Sequence, residues 1–130
     1  MIPLLKNMDK VYEGVASYGQ ILVALDFDGT LAEIVPDPTD ATLPGSRLKL
    51  LEALNNQPRF AVAIISGRSL EDLKSRVNLP DITYAGDHGL EIAGPGFHHI
   101  PPEAEQFRIT VAEIGGILES ALIGTSGIVF

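Results

Sequence analysis

Two carboxylates, Asp26 and Asp28, stand one residue apart directly behind the apolar run Ile21-Leu22-Val23-Ala24-Leu25. Spaced i, i+2, they leave a strand on the same side and can share one divalent cation. Gly29 allows a tight turn and a close backbone approach to a ligand, and Thr30 adds a hydroxyl. A short continuous apolar run reads as a strand buried on both faces of a parallel sheet. Open α/β sheets hold their ligands at the carboxyl ends of such strands. The set therefore suits phosphate chemistry. Asp-x-Asp-Gly also occurs in calcium loops and surface turns. A calcium loop would continue with further oxygen ligands and a late Glu between helices, whereas Leu31-Ala32-Glu33-Ile34-Val35 follows here and a strand precedes.

A second set follows the next apolar run, Arg59 to Ile65. Ser66 and Gly67 lie between that strand and a helix, so the Ser66 hydroxyl and the N–H groups after it face the same sheet edge as Asp26. A helix start there binds phosphate through oriented donors and the positive end of the dipole. The plainer role of Ser66 is to cap the helix. Arg68 has two readings as well, a fork onto phosphate oxygens or a surface pair with Glu71 or Asp72. His88 is either turn polarity or a substrate contact. His98-His99 has no third ligand at metal spacing and reads as solvated loop.

The elements that must position these residues follow from periodicity. The first twenty residues read as a weak helix ending near Gly19, and Ile21–Leu25 as the first strand. Pro36-Asp37-Pro38-Thr39-Asp40 is a loop, and a helix of about ten residues starts at Ser46 with Leu50, Leu51 and Leu54 on one face. After the Arg59–Ile65 strand, Ser69 and Asp72 are spaced as a capping box for a helix that stops before Pro80. Ile82–Ala85 is a third strand, and Gly86 opens a loop. Strand, helix, strand, helix, strand implies right-handed crossovers and an α/β fold with a doubly wound, Rossmann-like parallel sheet. From Gly94 to Pro102 the chain is rich in turn formers and reads as a linker or flap. Phe107, Val111, Ile114, Leu118 and Leu122 then recur at helical spacing as a core face, with Gly115-Gly116 inside, and Gly127-Ile128-Val129-Phe130 reads as the start of a strand. The expected division is residues 1–102 as one part of a core and 103–130 as the truncated start of an α/β cap domain.

Composition narrows the classes. At 130 residues the chain has room for one domain with a real core. A formal net charge of −8 offers no basic stripe, which argues against nucleic acid but not against a small phosphate ester met by local cations. With no cysteine, disulfides and thiol nucleophiles are excluded. No stretch approaches the roughly 20 apolar residues of a membrane span. Met1-Ile2-Pro3-Leu4-Leu5-Lys6 does not read as a signal peptide, so no membrane partner is expected and the cytoplasm is the default compartment. The oligomeric state is not legible.

Asp26-Phe27-Asp28-Gly29-Thr30-Leu31 after a hydrophobic strand resembles the first motif of the haloacid dehalogenase superfamily of phosphotransferases. That resemblance implies Asp26 as the nucleophile, Asp28 as the general acid and base, and Mg2+ held by the Asp26 carboxylate and the Asp28 backbone carbonyl. Ser66 matches the superfamily's second motif and, with Gly67, Gly29 and Thr30, would contact phosphate. Ile65-Ser66-Gly67-Arg68 and the segment Ala85-Gly86-Asp87-His88-Gly89-Leu90-Glu91 are similar to the trehalose-6-phosphate phosphatases in particular. The Pro36-Asp37-Pro38 spacing and the Gly94-Pro95-Gly96 turn also fit. By that resemblance Arg68, His88 and Glu91 lie near the phosphate or the sugar hydroxyls of a small sugar-phosphate substrate. Asp87 departs from the pattern, since the family more often has an uncharged polar residue there.

The superfamily also uses a later Lys and a later acidic metal motif. Beyond Phe107 the only basic residue is Arg108, and no Asp follows Asp87; Glu113 and Glu119 fall within the predicted helix. The expectation is thus an incomplete form of a Mg2+-dependent phosphatase that makes trehalose from trehalose 6-phosphate through an aspartyl phosphate. Two alternatives stay open. One is a related phosphatase acting on sucrose, mannosylglycerate or glucosylglycerol phosphates, and the other a non-catalytic sugar-phosphate-binding fragment.

Overall fold

The computed structural model describes residues 4–126 and residue 128. The chain separates into two compact units, Met1–His98 and His99–Phe130. In the first, helix α1 (Met8–Ala16) precedes strand β1 (Ile21–Asp26), and helix α2 (Gly45–Asn55) leads to β2 (Phe60–Ile65). Helix α3 (Leu70–Val77) then leads to β3 (Thr83–Gly86), and β4 (Glu91–Gly94) and β5 (Phe97–His99) follow. The sheet order is β1-β2-β3-β4-β5. The first three strands are parallel, with Asp26 opposite Ile65 and Ile65 opposite Ala85, whereas β4 runs antiparallel to β3 with Glu91 opposite Gly86. The fold is α/β with a mainly parallel sheet, as expected.

Because the parallel strands advance in one direction, both right-handed crossovers place their helices on one face of the sheet. That face carries the core. Leu51 of α2 and Leu70, Leu73 and Val77 of α3 bury against Val62, Ile64 and Tyr84. Ser69 caps α3 by accepting a hydrogen bond from the Asp72 N–H, and Asn78 ends it in a left-handed conformation. The capping-box spacing therefore located the helix start. Tyr84 reaches through the core to Leu79, donating its hydroxyl to the carbonyl and accepting from the N–H.

Several expectations are corrected. Strand β1 is not buried on both faces: Ile21, Val23 and Leu25 are half-buried, but Leu22 is 66% exposed and Ala24 is also exposed. β1 lies at the edge of the described sheet, and the crossover helices pack chiefly on β2 and β3. On α2 the inward positions are Leu48, Leu51 and Leu54, whereas Leu50 faces outward. Leu51 and Leu54 belong to both faces, and periodicity alone could not choose between centres only about 50° apart at ~100° per residue.

The stretch read as a linker from Gly94 to Pro102 is instead largely structured, as β4, β5 and the start of the next helix. Pro95-Gly96 joins the two strands, with Gly96 at φ 78°, where Pro presets the first corner residue and Gly supplies the positive φ of the second. Gly86 closes β3 rather than opening a loop, and a single 3₁₀ turn, Asp87–Gly89, follows.

The second unit contains helix α4 (Pro102–Ala121). Its stripe of Phe107, Val111, Ile114 and Leu118, expected as a core face, is exposed. Of the strand expected at Gly127–Phe130, all but Ile128 lies outside the described residues. No described helix is long and apolar enough to cross a membrane.

Candidate active site

The register sets the site. Asp26 pairs with Ile65, and Ile65 pairs with Ala85, so Ser66 and Gly86 stand just beyond the same edge as Asp26, with Glu91 opposite Gly86. Residues predicted from three separate stretches of sequence thus meet along one row of strand ends.

The Asp26–Thr30 loop is organised by Phe27, whose side chain is fully buried. Its carbonyl accepts hydrogen bonds from the N–H groups of Leu31 at 2.9 Å and Ala32 at 2.8 Å, and the Gly29 N–H donates to Ala32. Gly29 adopts φ 85°, the left-handed conformation that a side chain resists. With the intervening residue anchored in the core, Asp26 and Asp28 both project outward and are exposed. The Thr30 hydroxyl donates to Asp26 at 3.3 Å.

Ser66 is 3% exposed and spans the two loops. Its hydroxyl donates to Asp28 at 3.4 Å and accepts from the Arg68 N–H at 3.1 Å. Its backbone N–H holds the Ala85 carbonyl at 2.9 Å, and its carbonyl accepts from the His88 N–H at 3.0 Å. The α3 cap is Ser69, so Ser66 is left facing the site rather than capping the helix.

Arg68 lies across the Asp28 carboxylate. Its Nε is 2.9 Å from Asp28 Oδ2 and its Nη2 is 2.7 Å from Oδ1, a bidentate fork. Nη2 also donates to the Pro38 carbonyl at 2.8 Å, Nη1 donates to Asp72 at 2.9 Å, and the guanidinium sits 5.5 Å from the centre of the Phe27 ring. These hydrogen bonds, first to Asp28 and then to Asp72, push the Arg68 pKa up against the opposing effect of burial. Of the readings open to Arg68, the pair with Asp72 is present at 2.9 Å, with the Arg68 side chain only 11% exposed and Asp72 35% exposed. Its fork lies on the Asp28 carboxylate.

His88 reaches the site through backbone strain. Asp87 and His88 both have positive φ, 49° and 58°, an uncommon state for residues with side chains. Hydrogen bonds from the Asp87 N–H to Arg68 and from the His88 N–H to Ser66 hold this turn against the Ser66–Arg68 loop. The His88 ring lies on Gly67, where a Cβ would come within 2.6 Å of Cε1. Glu91 is half-buried and pairs with His98 Nε2 at 2.7 Å, so His98 is the strand partner of a site carboxylate rather than free loop.

A cleft of about 400 Å³ opens at this edge, lined by Asp28, Ile34, Val35, Pro38, Gly67 and Arg68. A larger one, about 580 Å³, lies at the amino end of β3 among Lys74, Asn78, Asp81 and Tyr84, away from the aspartates. The smaller cleft is the one that adjoins Asp28 and Arg68. The Asp26 carboxylate and the Asp28 carbonyl are hard oxygen groups of the kind Mg2+ takes, and among the described residues no cluster of three candidate metal ligands forms.

Sequence reasoning named Asp72 as a partner of Arg68 but missed Arg76. The signal was the i, i+4 spacing of Asp72 and Arg76 on α3, with Arg68 four residues before Asp72 just ahead of the helix.

The family model described as trehalose-phosphatase matches residues 24–130. The chain belongs to the trehalose-phosphatase family. The trehalose-phosphate phosphatase of Mycobacterium ulcerans is 47% identical over 91 residues, which cover 70% of this chain and 23% of that protein. The chain therefore spans about a quarter of the length of such relatives. Among solved structures, trehalose-6-phosphate phosphatase from Aspergillus fumigatus superposes with a TM-score of 0.65 at 28% identity, covering 89% of this chain and 44% of that one. A haloacid dehalogenase-like hydrolase from B. subtilis matches at a TM-score of 0.51 and 21% identity, over 77% of this chain and 33% of that one, a likeness of fold. In this trehalose-phosphatase segment the matched region takes in all of the site residues, from Asp26 to Glu91.

Proposed function

We propose that these residues work in a phosphatase that hydrolyses trehalose 6-phosphate to trehalose and phosphate through an aspartyl phosphate on Asp26. The observation that carries this reading is the pair Asp26 and Asp28, held outward on either side of buried Phe27 with the Ser66 hydroxyl on Asp28. In the first step an Asp26 carboxylate oxygen bonds to phosphorus while the bond to the sugar oxygen breaks, and that oxygen takes a proton from Asp28. In the second, Asp28 accepts a proton from water as the water oxygen bonds to phosphorus, and inorganic phosphate leaves, restoring Asp26. Splitting one hydrolysis into two transfers is the benefit of the covalent intermediate.

Ser66, Gly67, Gly29 and Thr30 would line the phosphate position with hydroxyl and N–H donors. Mg2+, held by the Asp26 carboxylate and the Asp28 carbonyl, would neutralise charge on the transferring group. Arg68, His88 and Glu91 would face the substrate. The proposed division into core residues 1–102 and cap residues 103–130 is supported by the separation of compact units near His98.

The test is phosphate release by the full-length protein, with Mg2+, from trehalose 6-phosphate and from sucrose, mannosylglycerate and glucosylglycerol phosphates. The reading predicts that trehalose 6-phosphate is turned over best and that Asp26→Asn abolishes its turnover. Preference for another ester would replace the substrate. Ligand-induced stabilisation without release from any of the four would replace catalysis by binding.

A further inference from the structure

Arg68 is boxed in on several sides, and only one of them, Asp28, is a proposed reacting group. Its Nε–Nη2 edge forks onto Asp28, its face lies over Phe27, and its Nη1 is held by Asp72 at 2.9 Å. Asp72 Oδ2 also accepts from Arg76 Nε at 2.9 Å, and Oδ1 accepts from the same nitrogen at 2.9 Å. Arg76 Nη1 in turn donates to the Thr39 carbonyl at 3.1 Å and the Ala41 carbonyl at 2.6 Å. Arg68 Nη2 takes the neighbouring Pro38 carbonyl. Two guanidinium groups thus fasten the Pro38–Ala41 segment to α3, and a single carboxylate lies between them.

We propose that Asp72 is a positioning residue that holds the Arg68 guanidinium on Asp28 and, through Arg76, holds the Pro38 side of the cleft. The proposal rests on the reading of Asp28 as the acid–base group. The two arginines are largely covered, at 11% and 15% side-chain exposure, while Asp72 between them is 35% exposed, so its charge is only partly screened from either. Removing its charge leaves two like charges facing each other, Arg76 on α3 and Arg68 just before its start. Arg68 then keeps its hold on Asp28 but loses the restraint that fixes its angle. Asp72 is held below the ordinary carboxylate range, first by Arg76 and then by Arg68, and so stays ionised throughout the neutral range.

The test uses the full-length protein with trehalose 6-phosphate, Mg2+, and a thermal melt on every variant so that rates are compared well below each Tm. Asp72→Asn is expected to lower kcat on the order of tenfold or more, because small misplacements of a reacting group carry such factors. In a cycle with Arg68→Lys, adding Asp72→Asn should cost less than about twofold further, since both act through the same group. Arg76→Gln leaves Asp72 charged but unbraced, and a smaller fall in kcat is expected. If Asp72→Asn lowers only the Tm and leaves kcat unchanged, Asp72 is structural and the proposal is overturned. Losses that multiply in full across the cycle also overturn it. Should Asp72→Asn fail to fold, an unchanged kcat in Arg76→Gln overturns it instead. An active Asp28→Asn variant would remove the reading beneath the proposal, whereas an inactive Asp28→Asn beside normal Asp72 and Arg76 variants would remove the proposal alone.

Discussion

Gly86 is the position where a single methyl group should do the most damage to the frame of the site. It ends β3 with φ −93° and ψ 171°, a conformation open to any residue, so alanine meets no backbone strain. The obstacle is space. A Cβ there would lie 2.4 Å from the Leu70 nitrogen, 2.7 Å from its Cα and 3.0 Å from the Arg68 carbonyl oxygen. Ordinary contacts begin near 3.4 Å, so the amino end of α3 must retreat by about 1 Å. All three atoms belong to the backbone, so no side chain can swing aside. Overpacking of this kind costs about 1–3 kcal/mol, and a rigid obstacle puts Gly86→Ala at the upper end, about 3 kcal/mol. The smaller unfolded-state entropy of alanine returns about 0.4–1 kcal/mol, leaving a net loss of about 2 kcal/mol. Urea unfolding followed by circular dichroism measures this directly. Gly45→Ala is the control, because nothing lies within 4 Å of its Cβ, and it should be neutral or slightly stabilising. A Gly86→Ala variant as stable as the parent would refute the close packing of β3 on the Arg68–Leu70 turn.

Three further outcomes follow from the same geometry. Tyr84→Phe strips the buried Leu79 N–H and carbonyl of their partner and should cost about 1–3 kcal/mol in urea unfolding. Asp72 has a folded pKa depressed by Arg76 and Arg68, so its contribution to stability is present above about pH 4 and is lost as pH falls through the folded value. Asp72→Asn should therefore flatten the stability profile below about pH 4, and an unchanged acid slope would contradict the network. Arg59 donates to the carbonyls of Val15 and Tyr18, while α1 has no buried residue of its own. Arg59→Met should abolish amide-exchange protection across Met8–Ala16 and leave that of β2 and β3 in place.

The parts of this structure that were legible in sequence are those fixed by local chemistry. The apolar runs, the Ser69–Asp72 cap and the Asp-x-Asp-Gly turn each state their own conformation, and together they place Asp26, Asp28 and Ser66 along one sheet edge. What stayed hidden depends on contacts distant in sequence. Leu22 looks like a buried strand residue until the strand order leaves its face bare. The β4–β5 hairpin was obscured because its strands are short and Gly-Pro-Gly resembles a linker, although Pro95-Gly96 is itself a turn signal. The fork of Arg68 on Asp28 joins residues 40 positions apart and has no local signature. Gly86 read in sequence as a loop opener and Gly67 as a phosphate contact, and only the nearness of Leu70 and His88 shows why a side chain is excluded at each.

The most direct test of the account is to look for the covalent intermediate. The full-length protein is mixed with trehalose 6-phosphate and Mg2+, quenched in acid during turnover, and its peptides are analysed by mass spectrometry. The account predicts one added phosphoryl group on the peptide holding Asp26–Thr30, assigned to Asp26, and its absence from Asp26→Asn. Steady turnover with no phosphoryl group on that peptide, or with one on another residue, would contradict it.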